Sequence, residues 1–452
     1  MIGASDRLVD ARFGIVTRLA RQEARPDVPP AFVAYGAELA DTRRLGPWTT
    51  DRHTYGAAFF NEHQARQAAI GEAAERYCGN LVPAALPRAS WRELAAAGER
   101  ALDPRELTLY STAQYAERGF PFVPLTKDLT VRWVRGRDLM TGDAVFVPAS
   151  LVYLARPKAG EPPTNAIIYA GIAAGHSLED AERAALEEII ERDAITLWWH
   201  SGAPALALRQ PPVVREALAT PWDSGAIRYQ LIAFKTLLDV PVIGAFLEDS
   251  QHDVVALGTA CRAEPAAAAL KALCEAIQLR TLSLALLDPS SGVWRAMEQS
   301  IHPVTLYKPY RPDRAYLDDF RPDLRDIVDL AAQAQLYLDP RMRQHITRIL
   351  APSHELTLDD LPDVDESDPR GYYVKRLERC GLRAFSVALT TPDVRSAGLS
   401  VVRVIVPGLY SNAPPAFPLL GGRRLYEEPA ALGWVPAPLA EEELVRVPPP
   451  FA

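Results

Sequence analysis

Three separated segments share one unusual layout, and any fold of this chain must either gather them or hide each one. GEAAERY at 71–77, EEIIERD at 187–193 and LKALCEAIQLR at 270–280 each place glutamate on a helix-forming run. Glu72 and Glu75 stand three apart, as do Glu188 and Glu191, and Arg76 or Arg192 follows directly. In the third segment Glu275 is followed by Gln278 and Arg280, with Lys271 one turn before it. Residues three or four apart share a helix face. Each helix therefore aims an acidic or amide pair, beside a cation, out of a surface otherwise built from Ala, Ile and Leu. Carboxylates so close repel unless a cation compensates them, and buried charges need partners. Two readings follow. One is a structural network of ion pairs between packed helices. The other is a centre for a hard divalent ion with oxygen ligands. In the second, opposed carboxylates hold Mg2+ shared with phosphate oxygens, and Arg76, Arg192, Arg280 or Lys271 contacts phosphate or steadies the glutamates.

The middle segment belongs to the longest helical pattern, 177–200. Ser177 offers an N-cap hydroxyl and Asp180 stands three residues later, a capping-box layout with Asp in place of Glu or Gln. Asp180 lies two turns before Glu188 on roughly the same side, which makes it a further candidate oxygen ligand.

Composition removes several alternatives. A net charge of −8 gives no global basic field to draw the chain to nucleic acid or an anionic membrane. Cys78, Cys261, Cys274 and Cys380 form no CxxC pair, so neither a disulfide framework nor a zinc site is expected, and a reducing cytoplasm fits. No apolar run approaches the ~20 residues of a membrane span, and the first residues lack a secretory signal. The phosphate loop GxxxxGK[ST], the dinucleotide fingerprint GxGxxG, GxSxG and HExxH are all absent.

Along the chain, 13–19 and 31–39 read as strands and 61–78 as a helix capped by Asn61 and closed by Gly79-Asn80. A helix at 94–101 and strands at 130–134, 144–147 and 166–170 lead to the long helix. Strands at 227–234, 240–246 and 254–260 follow, then a helix opened by Pro265. Residues 287–370 read as charged, Pro-containing surface insertions around one helix at 324–335. Strands at 384–390 and 401–408 precede a proline-rich end. Helices and strands interleave without a long linker, so the expected class is mixed α/β (α+β) in one large unit. Residues 1–50 form N-terminal strands and loops, 51–452 the main domain, and 447–452 a tail.

The ordered set GEAAERY, GIAAGHSLEDAERAALEEIIERDA and CRAEPAAAALKALCEAIQLR resembles the three core motifs of the YcaO superfamily. RLVDARFGIVTRL, VVRVIVPGL, LLGGRRLYEEP and the terminal PPPFA extend the likeness over nearly the whole chain, towards the azoline-forming cyclodehydratase branch. The resemblance implies a YcaO-type ATP-binding fold with the nucleotide and Mg2+ between packed helices. It also implies an enzyme acting on a ribosomally made precursor peptide. In that branch a Cys, Ser or Thr side chain attacks the preceding carbonyl, ATP phosphorylates the resulting oxygen, and loss of phosphate leaves a thiazoline or oxazoline. The family's Mg2+/ATP glutamates fall on Glu72, Glu75, Glu188, Glu191 and Glu275. Its motif arginines fall on Arg76 and Arg192, and a basic residue of the third helix on Lys271. This chain departs from the family where His176 and Asp180 replace an Asn and a Glu. His176 then either donates to phosphate or simply caps the turn. A second departure is Ala57-Ala58-Phe59, where many members carry Gly-Lys-Gly.

Pro448-Pro449-Pro450 favours a stiff polyproline segment. By itself it reads as a frayed terminus. The resemblance implies instead that Pro448, Pro450 and Ala452 enter the active site, with the terminal carboxylate positioned there. The resemblance further implies a fused or separate ubiquitin-activating-enzyme-like partner that recognises the precursor's leader, and with no such element ahead of Ala31 a separate partner is expected. The oligomeric state, a homodimer included, is left open. The competing activities are thioamidation or macroamidine formation on the same fold, and a non-catalytic scaffold presenting peptide or partner.

Overall fold

A computed structural model describes residues 4–41, 52–154, 160–219, 221–298, 306–352 and 354–451. β1 (Val16–Arg21), β2 (Phe32–Leu39) and β3 (His53–Phe59) form one antiparallel sheet in that order. Next come β4 (Arg88–Ala89), β5 (Val131–Asp138), β6 (Ala144–Pro148) and β7 (Ile172–Gly175). They are followed by β8 (Leu206–Leu208), β9 (Ile227–Phe234), β10 (Val242–Asp249) and β11 (Val254–Cys261). β12 (His354–Leu356), β13 (Phe385–Ala388) and β14 (Ser400–Ile405) complete the described strands. A second sheet runs β11-β10-β9-β8-β12, and a third runs β4-β5-β13-β14-β7 with β6 on β5. The fold is thus the expected mixture of helices and sheets.

Three long helices organise these sheets: α1 (Glu62–Asn80), α2 (Leu178–Ser201) and α3 (Pro265–Leu287). Each begins where local chemistry allows it. Asn61 accepts the N–H of Gln64 at 2.9 Å, Ser177 accepts that of Asp180 at 3.0 Å, and Pro265 opens α3 where no N–H is needed. α1 runs through Gly79 and Asn80 instead of ending before them, and the Asn80 amide donates to Arg76 O at 2.8 Å.

α2 is buried almost all round, between β7 and β14 on one side and the β9–β11 sheet on the other. Its structural charges are matched one by one. Glu182 meets Arg137 and Arg370 at 2.6 and 2.7 Å, Glu187 meets Arg183 at 2.9 Å, and Asp193 meets Arg424 at 2.7 Å. Side chains of β10 and β11 alternate between the two faces. Val242, Phe246, Leu257 and Cys261 join the core around α2, whereas Ile243, Ala245, Ala256 and Ala260 join the core under α3. Two strand glycines let helices sit directly on backbone. A Cβ at Gly56 would lie 2.2 Å from Ala69 N on α1, and one at Gly258 only 2.1 Å from Ala272 O on α3.

The structure corrects several readings. Residues 166–170 form no strand, because the carbonyls of Ile168, Tyr169 and Ala170 are taken by the Arg403 guanidinium instead of a ladder. The helix expected at 324–335 reduces to Ala332–Leu336, since Leu324 has φ 54° and cannot sit in a right-handed helix. Described residues within 287–370 are not mere surface insertions: Tyr316, Leu336, Tyr337 and Ile346 are buried in the core around α2. β1 and β2 are continuous with β3, so the N-terminal strands are built into the main body. Among the described residues no helix is long and apolar enough to cross a membrane.

Candidate active site

The glutamates of the three helices meet across the strands that separate them. On α1, Glu72 accepts the N–H of Tyr55 from β3 at 2.8 Å and pairs with Arg76 at 3.2 Å. Glu75 accepts the N–H of Ala174 from β7 at 2.7 Å. On α2, Glu188 accepts the N–H of Gly171 at 2.8 Å. Glu191, one turn on, accepts the Thr259 hydroxyl of β11 at 2.7 Å. The Thr259 N–H points to Glu275 of α3 at 3.4 Å, and Lys271 pairs with Glu275 at 3.1 Å. Thr259 therefore joins α2 to α3, and the close seat of α3 on Gly258 brings Glu275 to it.

Electrostatics shows that these groups share one field. Burial pushes the Glu75 carboxyl up to about 8, and the charges of Glu72 and Glu188 add to that. Burial likewise raises Glu191 to about 7, with Arg192 opposing and Glu275 and Glu188 contributing. Burial alone would raise Glu275 as well, but Lys271 and Arg192 hold it below the ordinary carboxylate value. Glu188 is felt by both Glu75 and Glu191, so it connects the α1 side of the site to the α3 side. Arg76 lies over the Tyr169 ring at 5.2 Å. Arg192 lies 3.6 Å from Glu191, and its buried Nε has no hydrogen-bond partner among the described residues.

These features fit a divalent cation and an anionic ligand. The carboxylates are crowded enough to resist ionisation, which an added cation would relieve. Among the described residues, no three carboxylate, histidine or cysteine groups are arranged to hold a metal unaided. Mg2+ does not require such a cage, because it is commonly bound through one or two carboxylates plus waters and substrate phosphates. Glu72, Glu75, Glu188, Glu191 and Glu275 are the candidate oxygen ligands. Arg76, Arg192 and Lys271 are the candidate phosphate contacts.

The remaining site candidates are placed differently. Arg280 is a correction: it is 2% exposed and committed to Asp249 at 2.6 Å and Asp27 at 2.7 Å, an ion-pair knot that tethers the 25–28 loop. Asp180 is exposed and hydrogen-bonded to its own cap, Ser177, at 2.9 Å. His176 is exposed just ahead of that cap, and the capping oxygen is Ser177's. Gln278 lies half-buried on the Lys271–Glu275 face of α3.

Two contributors escape motif reasoning. Thr259 has no charge to announce it. Arg403 is 1% exposed, and it donates to the carbonyls of Val152, Ile168, Tyr169 and Ala170. By holding 168–170 it sets the approach to Gly171, whose N–H fixes Glu188. Its only sequence signal is a lone charge inside the buried VVRVI strand.

The proline-rich end is docked. Pro448, Pro450 and Phe451 are buried, and the Phe451 ring lies 5.5 Å from the Arg192 guanidinium. This removes the frayed-terminus reading through Phe451; Ala452 lies outside the described residues.

Solved structures with this fold include a heterocyclase in complex with substrate and cofactor. It is 22% identical, with TM-score 0.74, covering 99% of this chain and 57% of its own. The chain thus spans somewhat over half of that heterocyclase. YcaO from Methanopyrus kandleri, bound with AMPPCP and Mg2+, is 19% identical with TM-score 0.56, covering 87% of this chain and 86% of its own. The E. coli microcin synthetase McbBCD complex is 13% identical with TM-score 0.54, covering 90% and 92%. Residues 59–410, well over half the chain and all three acidic helices, match the YcaO cyclodehydratase family, described as ATP- and Mg2+-binding. The chain therefore belongs to the YcaO cyclodehydratase family and is an ATP- and Mg2+-binding member of it.

Proposed function

We propose that this chain is an ATP/Mg2+-dependent peptide cyclodehydratase that makes thiazolines or oxazolines in a ribosomally synthesised precursor. The observation that carries the reading is the buried carboxylate cluster linked through Glu188, with Glu75 and Glu191 raised and Arg192 incompletely satisfied. Such a cluster is costly for an ion-pair network and suited to a cation with polyphosphate. In the proposed reaction a Cys, Ser or Thr side chain adds to the preceding carbonyl carbon. The former carbonyl oxygen takes the γ-phosphoryl group with release of ADP. Phosphate then leaves with that oxygen, the amide nitrogen gives up its proton, and a C=N double bond forms within the ring that the side-chain attack closed. ATP with Mg2+ supplies the phosphoryl group and neutralises its charge when bound.

The chain's own residues have separate roles in this scheme. Glu72, Glu75, Glu188, Glu191 and Glu275 hold the metal side, Arg76, Arg192 and Lys271 face phosphate, and Gln278 flanks them on α3. Asp180 and His176 stand at the entrance to α2 as outer contacts. The segment 447–451 closes the Arg192 side, with Pro448 and Pro450 seating it and Ala452 beyond as the proposed substrate-side group. The heterocyclase solved in complex with substrate and cofactor, and the McbBCD complex, support a substrate-bound enzyme that works with a protein partner. We assign the partner to the ubiquitin-activating-enzyme-like class that carries a leader-binding element. The test combines the chain, a candidate precursor, its genomic-neighbour partner and ATP/Mg2+, and measures phosphate release. Precursor-dependent release is expected. Release that ignores the precursor would overturn the reading.

A further inference from the structure

The seat of the segment 447–451 shows a regularity that the polyproline sequence alone does not require. Pro448, Pro449 and Pro450 have no N–H to offer, so the segment can be held mainly through its carbonyls. All five consecutive carbonyls find a donor. Val447 O accepts Trp199 Nε1–H of α2 at 2.6 Å, and Pro448 O accepts the Tyr337 hydroxyl at 2.6 Å. Pro450 O accepts the Leu257 N–H of β11 at 2.9 Å. With its amide NH2 turned to the segment, Gln333 donates to Pro449 O at 3.2 Å and to Phe451 O at 3.0 Å. Gln333 and Tyr337 are four residues apart and both buried, on one short helical turn. Because each donor is fixed on packed structure, a slip of one residue would move every carbonyl off its partner. The register delivers Phe451 beneath the Arg192 guanidinium at 5.5 Å, and Arg192 stands 3.6 Å from Glu191.

We infer that Tyr337 and Gln333 are positioning residues for the nucleotide site, acting through the register of the 447–451 segment and the contact of Phe451 with Arg192. The inference rests on the proposed nucleotide role of Arg192. It explains why the 306–352 region is packed into the core, since that region supplies the clamp tying the end of the chain to the second acidic helix. Phe451 supports Arg192 from one face, while its Nη2 lies 3.6 Å from Glu191 and its buried Nε has no hydrogen-bond partner among the described residues.

The test measures binding of AMPPCP with Mg2+ to the full chain, to Tyr337→Phe, to Gln333→Ala and to a chain ending at Val447. Tyr337→Phe keeps the ring volume and removes one hydrogen bond, so a folded variant is assured of a reading even if Gln333→Ala is unstable. Tyr337→Phe is expected to weaken binding about three- to tenfold, the loss of one hydrogen bond's net contribution, and Gln333→Ala, which removes two, at least as much. Truncation should weaken it at least as much, and Tyr337→Phe should add nothing in the truncated chain. Wild-type binding by the clamp variants, or an equal effect of Tyr337→Phe with and without the segment, would overturn the inference and leave the proposed function standing. Absence of binding by the wild-type chain would overturn both.

Discussion

Glu191→Gln should make the ligand-free protein more stable while removing its response to nucleotide. Glu191 is 4% exposed, with its carboxyl raised to about 7 against an ordinary 4.5. The folded chain therefore keeps a proton that the unfolded chain loses, and stability falls as pH rises from 4.5 to 7, levelling off above. Carrying that charge in the fold at pH 8 costs about 3 kcal/mol. Glutamine keeps an oxygen for the Thr259 hydroxyl and removes the charge, but it also deprives Arg192 of a nearby carboxylate. The net gain at pH 8 should be about 1–3 kcal/mol, and near pH 4.5 the two proteins should agree. Urea unfolding at the two pH values, without metal, measures this. Added AMPPCP and Mg2+ should then stabilise the wild type and leave the variant nearly unmoved. A variant less stable than wild type at pH 8, or a difference identical at both pH values, would refute the reasoning.

Further outcomes follow from the same geometry. Affinity for Mg2+ with AMPPCP should rise between pH 6 and pH 8.5, because Glu75 at about 8 and Glu191 at about 7 must shed protons to bind it; calorimetry in buffers of different ionisation heat should detect their release. Gly258→Ala forces a methyl to 2.1 Å from Ala272 O, so thermal melting should show a loss of about 1–3 kcal/mol or more, with weakened nucleotide binding as Glu275 is displaced. Arg280→Ala should cost about 3 kcal/mol in urea unfolding by taking the guanidinium from the buried Asp249 and from Asp27, Asp249 keeping its bonds to Gln251 and His252, yet leave AMPPCP affinity of the folded protein unchanged.

The sequence carries the site better than it carries the architecture around it. Glu72, Glu75, Glu188, Glu191 and Glu275 are visible as acidic pairs on otherwise apolar helices, and helix capping at Asn61 and Ser177 follows ordinary rules. Their meeting is set by groups with little sequence signal, namely Thr259, the backbone N–H groups of Tyr55, Ala174 and Gly171, and the missing side chain of Gly258. Arg280 misleads because spacing on a helix gives a residue's face but not its partners, and Asp27 lies more than two hundred residues away. Segment 287–370 misleads for a related reason. Its charges and prolines mark turns, while aromatics between them, including Trp294, Tyr307, Tyr316, Phe320 and Tyr337, fill the core. The 166–170 stretch reads as a strand by its apolar run, but a single distant arginine, Arg403, takes its carbonyls. The proline-rich end cannot reveal its register, since the donors that hold it come from α2, β11 and the 333–337 turn.

The most direct measurement is peptide mass after incubation of the chain, its genomic-neighbour partner, a candidate precursor and ATP/Mg2+. The account predicts loss of one water per ring, matched by one ADP, and an unmodified peptide when Glu191→Gln replaces the wild type. With the wild-type chain, an unchanged peptide or exchange of oxygen for sulfur would contradict it, as would full turnover by the variant.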